Sequence, residues 1–181
     1  PSFELYETLK KTSGVKMEDF TPAGFQYIMR FNHLHPPFNQ PKIRQAAMLA
    51  IGQQAFINTQ VGVPELVRLC RSIYPCSSVY ADENTPGFSG VANPAKAREL
   101  LKEAGYDGTP IVMMRPTDLS AITKLPLVAK QQLEAAGFKV DLQQMDWASL
   151  VARRAKKEPP AQGGWNLFFT TWSAQDIDSP L

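Results

Sequence analysis

This chain has almost no net charge. Its 181 residues carry 19 Lys and Arg against 17 Asp and Glu, a formal net charge of +2. Such a balance gives no electrostatic argument for nucleic acid or for direct contact with a membrane surface. Long apolar runs are missing too, and none nears the roughly 20 residues that a membrane-crossing helix needs. Histidine is limited to His33 and His35, an H-x-H whose spacing to the cysteines matches no zinc site. No nucleophile–base pair stands out. The expectation is therefore no catalytic residue, no metal and no cofactor. Cysteine is limited to Cys70 and Cys76, in CRSIYPC. Two readings fit, a local disulfide in an oxidising compartment or a pair of free thiols, and the disulfide is the expectation. Closing so short a loop would pin the loop without holding the domain together. An initiator Met and a leader are also lacking, so the chain reads as a piece of a longer exported precursor, its signal peptide outside this stretch.

What is present is an ordinary globular composition, 44% hydrophobic and 20% charged, in a length that suits one or two domains. The densest stretch is residues 36–57, PPFNQPKIRQAAMLAIGQQAFI. Pro36-Pro37 cannot continue a helix. Asn39 is a good N-cap, Pro41 suits the first turn, and Phe38 can close over the helix start as a hydrophobic staple. Ile43, Ala46, Ala47, Ala50 and Ile51 then recur at helical spacing. A second helix is expected over residues 53–61, before Gly62.

Elsewhere the pattern alternates. Residues 3–11 read as a helix, residues 15–20 as a strand and residues 24–32 as a half-buried strand. Residues 62–92 form a long Pro/Gly/Ser/Asn-rich loop, a length that usually marks function or a wrapped surface. Asn93 caps a helix that runs to Ala104, and residues 110–115 are a strand. The helix over residues 120–136 contains Pro126, which predicts a start near Leu125 or a kink. Residues 138–145 are a strand, Asp146 caps a helix over residues 147–157, and residues 165–172 are a buried strand. LLKEAGY and QLEAAGF, 32 residues apart, repeat one helix-to-strand turn. Alternating elements of this kind argue for a sheet covered by helices on both faces.

Together these segments resemble the extracellular solute-binding proteins of the peptide/nickel family, the receptors of ABC transporters. The resemblance rests on Asn32, Pro37-Phe38, Asn39, Ile43-Arg44-Gln45-Ala46 and Ala50-Ile51, with Gly52-Gln53 where the family usually has Asp-Arg. It continues through residues 95–106 (AKARELLKEAGY) and 133–140 (LEAAGFKV), and through residues 171–180 (TWSAQDIDSP), similar to the family's G-W-x-x-D-x-x-D-P. It implies an α/β fold with a mixed sheet flanked by helices on both faces. Residues 1–181 would be a single lobe, lobe II, of a two-lobed periplasmic binding protein, with its long loop at 62–92. It implies capture of a peptide or similar small-molecule ligand for import, in the periplasm or outside the cell. The partners would be the other lobe of the same polypeptide and a transporter permease, with no enzymatic step. Nickel complexes, sugars and opines remain open as ligands. A sensory domain of the same fold and a cytosolic α/β interaction domain or enzyme are the alternatives.

The resemblance also nominates residues. Asp176, or else Asp178, would pair with a ligand's α-ammonium, and a charged hydrogen bond of that kind is strong in a closed cleft. Trp172 would line a side-chain pocket, or else pack the end of the sheet. Arg115 would hold a ligand carboxylate, as guanidinium geometry allows. Arg153, Arg154, Lys156 and Lys157 read as a solvated helix face, with docking to a transporter subunit as the sharper alternative.

Overall fold

A computed structural model describes residues 3–180. A short 3-10 turn, Phe3–Leu5, leads into α1, Tyr6–Lys11. Strand β1 is Phe25–Phe31, followed by α2, Pro41–Ala50, and α3, Gln53–Gln60. After the long loop come α4, Pro94–Glu103, β2, Ile111–Pro116, α5, Leu125–Ala135, β3, Val140–Met145, α6, Trp147–Arg154, and β4, Leu167–Ser173. The four strands lie in the order β1-β4-β2-β3. β2, β3 and β4 run parallel, and β1 is antiparallel to β4 at the edge.

Side chains alternate across this mixed sheet. Ile111, Met113, Leu167 and Phe169 face the main core. There they meet Ile43, Ala46, Ala47 and Ala50 of α2, Ala97 and Leu101 of α4, and Leu125, Ala129 and Leu133 of α5. Phe56 of α3 packs on Phe169, ring centroids 5.8 Å apart. Met114 and Phe168 face the other way, onto Leu150 of α6 and Trp165. The sheet thus carries helices on both faces, four on one and α6 on the other. The repeated helix-to-strand turn has a physical basis. Gly105 and Gly137 take positive φ, 69° and 98°. The next residues, Tyr106 and Phe138, donate their N–H to Leu101 O and Leu133 O, both at 3.0 Å. That is the closing bond of a Schellman-type helix end. The two aromatics then meet, centroids 5.4 Å apart.

Two asparagines tie the sheet together. Asn32 Nδ2 donates to Trp165 O (2.9 Å), and its Oδ1 accepts from Leu34 N (3.0 Å). Asn166 Oδ1 accepts from Val112 N (2.9 Å), and its Nδ2 donates to Pro36 O (3.0 Å). The Asn32…Pro37-Phe38 pattern is therefore scaffold. Phe38 is fully buried, its ring 4.6 Å from Phe31 and 6.3 Å from Phe138.

Several expectations are corrected. Residues 15–20 form no strand. Asp19 Oδ1 accepts from Thr21 N (2.8 Å), which turns the chain, and among the described residues no strand pairs with the segment. The cap position of α2 falls on Gln40, with no side-chain cap bond, while Asn39 N donates to His35 O (3.1 Å). Arg44 instead steadies the turn, donating to Phe38 O at 2.5 Å. Helix α6 stops at Arg154, three residues short of the expectation. Arg153 does not belong to a solvated face. Its guanidinium donates to Gly163 O (3.0 Å), Gly164 O (2.7 and 3.1 Å) and Gln143 Oε1 (2.6 Å). The departure at Gly52 is also explained. A Cβ there would lie 2.9 Å from Ala92 N, where the long loop returns. Gln132 bridges Gly52 N (2.9 Å) and Gly52 O (3.3 Å).

Candidate functional site

Three parallel strands put three carboxyl ends on one edge of the sheet, where open α/β sheets collect ligands. Arg115-Pro116, Gln144-Met145 and Trp172-Ser173 end there, and Phe25 at the start of antiparallel β1 pairs with Ser173. Two of the polar groups on this edge already have internal work. Asp146 caps α6 through Ser149 N (2.8 Å) and Ser149 Oγ (2.6 Å). The Ser149 hydroxyl, then its N–H, hold the Asp146 carboxyl below the usual carboxylate range. Arg115 lies on the α2–α5 face, since its β3 partner Gln144 and Leu142 turn that way. Its Nε donates to Thr123 O (3.0 Å) and its Nη1 to Gln144 Oε1 (2.8 Å). The guanidinium thus fastens the β2–α5 connection.

Trp172 lies on the opposite face. It follows Phe168 and Thr170 along β4 at period two, pairs with Gln26 of β1, and remains 43% exposed. Ser173 Oγ then accepts from Gln175 N (3.2 Å) and starts the 3-10 turn Ala174–Asp176. The Asp176 and Asp178 carboxylates are exposed, and neither meets a hydrogen-bond donor or ion-pair partner among the described residues. The structure therefore brings Trp172, Asp176 and Asp178 into one contiguous stretch, with Arg115 on the same edge but behind the sheet.

Cys70 and Cys76 form a disulfide, Cα atoms 5.8 Å apart. Glu83 lies close to both sulfurs. The sulfurs are bonded to each other, so they offer no thiolates to a metal. His35 does not belong to that group, and its Nε2 lies 2.7 Å from Lys157 O. Two residues that sequence reasoning passed over bear on the edge. Gln26 Nε2 reaches Ile73 O (3.2 Å) and Ser72 O (3.5 Å), inside the disulfide loop. Ser78 Oγ donates to Asp178 O (2.5 Å). Gln26 looks in sequence like one more polar position of an alternating strand, and only its pairing with Trp172 marks it.

The model of the bacterial extracellular solute-binding proteins, family 5 Middle, matches residues 1–180. A probable peptide ABC transporter periplasmic-binding protein of Sinorhizobium fredii is 33% identical over 174 residues, 96% of this chain and 33% of its own length. The glutathione-binding protein of Escherichia coli is 30% identical over 173 residues, 95% of this chain and 32% of its own length. The chain thus spans about a third of the length of these curated relatives. Among solved structures, an ABC transporter substrate-binding protein from Listeria monocytogenes superposes with a TM-score of 0.82 at 19% identity, covering 95% of this chain and 34% of that one. A periplasmic binding protein from Helicobacter pylori, in complex with peptide STSA, gives 0.78 at 21% identity, covering 99% and 33%.

Proposed function

The chain belongs to the bacterial extracellular solute-binding proteins of family 5, and we propose that it forms one lobe, lobe II, of a periplasmic receptor that captures peptides for an ABC transporter. The observation that carries this reading is the edge at residues 172–178. A half-exposed tryptophan and two unengaged carboxylates stand together at the carboxyl ends of the three parallel strands of a mixed sheet. Beside them, Ala174 N donates to Gly24 O (2.9 Å), so the backbone entering β1 and the backbone leaving β4 run side by side. Two backbone segments joined in this way would suit a hinge on which a second lobe closes.

In this reading a peptide lies along the edge with its α-ammonium at Asp176 and a side chain against Trp172. Closure of the second lobe removes water, which strengthens the ammonium–carboxylate contact. Binding and release need no covalent step, so the chain acts as a receptor and has no catalytic role. The permease and the other lobe are its partners, and the periplasm its place. Relatives named for peptide and glutathione binding support the ligand class, because peptides and glutathione both carry a free ammonium. Arg115 is the weaker candidate, since Thr123 and Gln144 already occupy it.

The test uses the full-length receptor and calorimetry. Asp176→Asn is expected to weaken a tripeptide with a free amino terminus about tenfold, as losing one charged hydrogen bond would. The amino-acetylated tripeptide should bind both forms alike. Equal losses for the two peptides would remove Asp176 from this role.

A further inference from the structure

The disulfide loop does more than sit on the surface. It is fastened to the edge at two points, the residue that pairs with Trp172 and a residue just beyond Asp176. At one point, Gln26 pairs with Trp172 across β1 and β4, and its amide reaches the carbonyls of Ser72 and Ile73. Both neighbours are acceptors, so the amide nitrogen must face the loop. At the other point, Ser78 Oγ donates to Asp178 O, two residues beyond Asp176. The base of the loop is tied as well. Gln53 Nε2 donates to Cys70 O (2.5 Å), and Thr85 Oγ1 donates to Arg71 O (2.7 Å).

The tip between these ties is apolar and open. Residues 72–80, SIYPCSSVY, contain no charged side chain. Ile73 is 78% exposed and Val79 92%. Tyr80 is half-exposed, its ring 5.8 Å from that of Tyr74. A loop fixed at four points and closed by a covalent bridge holds those side chains in place before any ligand arrives. Pre-ordering of this kind avoids an entropy loss on binding.

We propose that residues 72–80 form the specificity-determining wall of the edge site and select a ligand with an apolar side chain beside Trp172. This rests on the peptide-binding reading of the edge given above. Ile73 and Val79 supply the apolar surface, Gln26 and Ser78 are positioning residues, and the Cys70–Cys76 bridge keeps the wall in shape.

The experiment measures selectivity, which a merely structural loop would not set. Calorimetry on the full-length receptor compares trileucine with triglutamate. The unmodified, oxidised receptor is expected to prefer trileucine by about tenfold or more, the worth of burying one apolar side chain. The double variant Ile73→Ser/Val79→Ser changes only exposed side chains. It should lose most of that preference with its melting temperature unchanged. Ser78→Ala, and separately reduction of the disulfide, should lower it in the same direction. A preference that survives in the double variant and after reduction overturns the proposal while leaving the edge site standing. If neither tripeptide, nor trialanine, binds the unmodified receptor, the peptide reading itself fails and the wall goes with it.

Discussion

Gly164→Ala is expected to destabilise the chain by about 3 kcal/mol or more. The reason is steric and local. A Cβ on Gly164 would overlap Glu158 O and stand 2.9 Å from the carbonyl carbons of Glu158 and Pro159. All of these are backbone atoms, so no side chain can swing aside to make room. Gly164 N also donates to Pro159 O (3.0 Å), which closes the turn between α6 and β4. The Arg153 guanidinium grips that turn through the carbonyls of Gly163 and Gly164. Opening the turn to fit a methyl group would break these bonds and shift Trp165 and Asn166, which begin the approach to β4. A domain is stable by only some 5–15 kcal/mol, so this loss would be visible as poor recovery of folded protein. Urea unfolding of the isolated chain measures it. A midpoint shift worth less than about 1 kcal/mol would contradict this account of the turn.

Asn166→Ala is expected to cost about 2–5 kcal/mol, because it takes away two hydrogen bonds at once and strands one buried N–H. Asn166 is fully buried. Its Oδ1 is the partner of Val112 N and its Nδ2 the partner of Pro36 O. Alanine removes both, leaving Val112 N buried without a partner and Pro36 O without its side-chain donor. Its backbone adds two further ties, Asn166 N to Val112 O and Asn32 N to Asn166 O, both at 2.9 Å. The residue thus joins β2, the approach to β4, the end of β1 and the Pro36-Pro37 turn. Asn166→Asp is a sharper variant. It keeps the acceptor for Val112 N, loses the donor for Pro36 O and places a charge where none is paired. It should be at least as harmful as alanine. Thermal unfolding with both variants within about 0.5 kcal/mol of the parent would remove Asn166 from this role.

Much of the fold is legible in the sequence, and the reason is local. Asn93 and Asp146 cap their helices as their positions suggest, accepting from Lys96 N (3.0 Å) and Ser149 N (2.8 Å). Pro126 falls at the second position of α5, which therefore starts at Leu125 and does not kink. Such signals act within a few residues. The failures are those where the deciding partner is distant or missing. Residues 15–20 have strand-like alternation but, among the described residues, no strand beside them. Arg153 reads as one charge in a basic run until the turn ten residues on wraps around it.

The same rule divides the candidate site. Trp172, Asp176 and Asp178 are neighbours in sequence, so their grouping was readable from a single motif. The engagement of Arg115 was hidden, because Thr123 and Gln144 lie 8 and 29 residues away. Gln26 and Ile73 are 47 residues apart, and Ser78 and Asp178 are 100. No periodicity or spacing carries information over such distances. The strongest sequence label, residues 36–57, proves to be scaffold: Phe38 fills the core, and Arg44 holds its carbonyl.

In the proposed reading, the carboxyl edge of this sheet, at residues 172–178, is one wall of a ligand cleft. Hydrogen–deuterium exchange of the full-length receptor, with and without saturating trileucine, tests it most directly. Slowed exchange is expected at residues 172–178 and 72–80, with little change at α4. Protection confined to other parts of the chain, with none at those two segments, would contradict it.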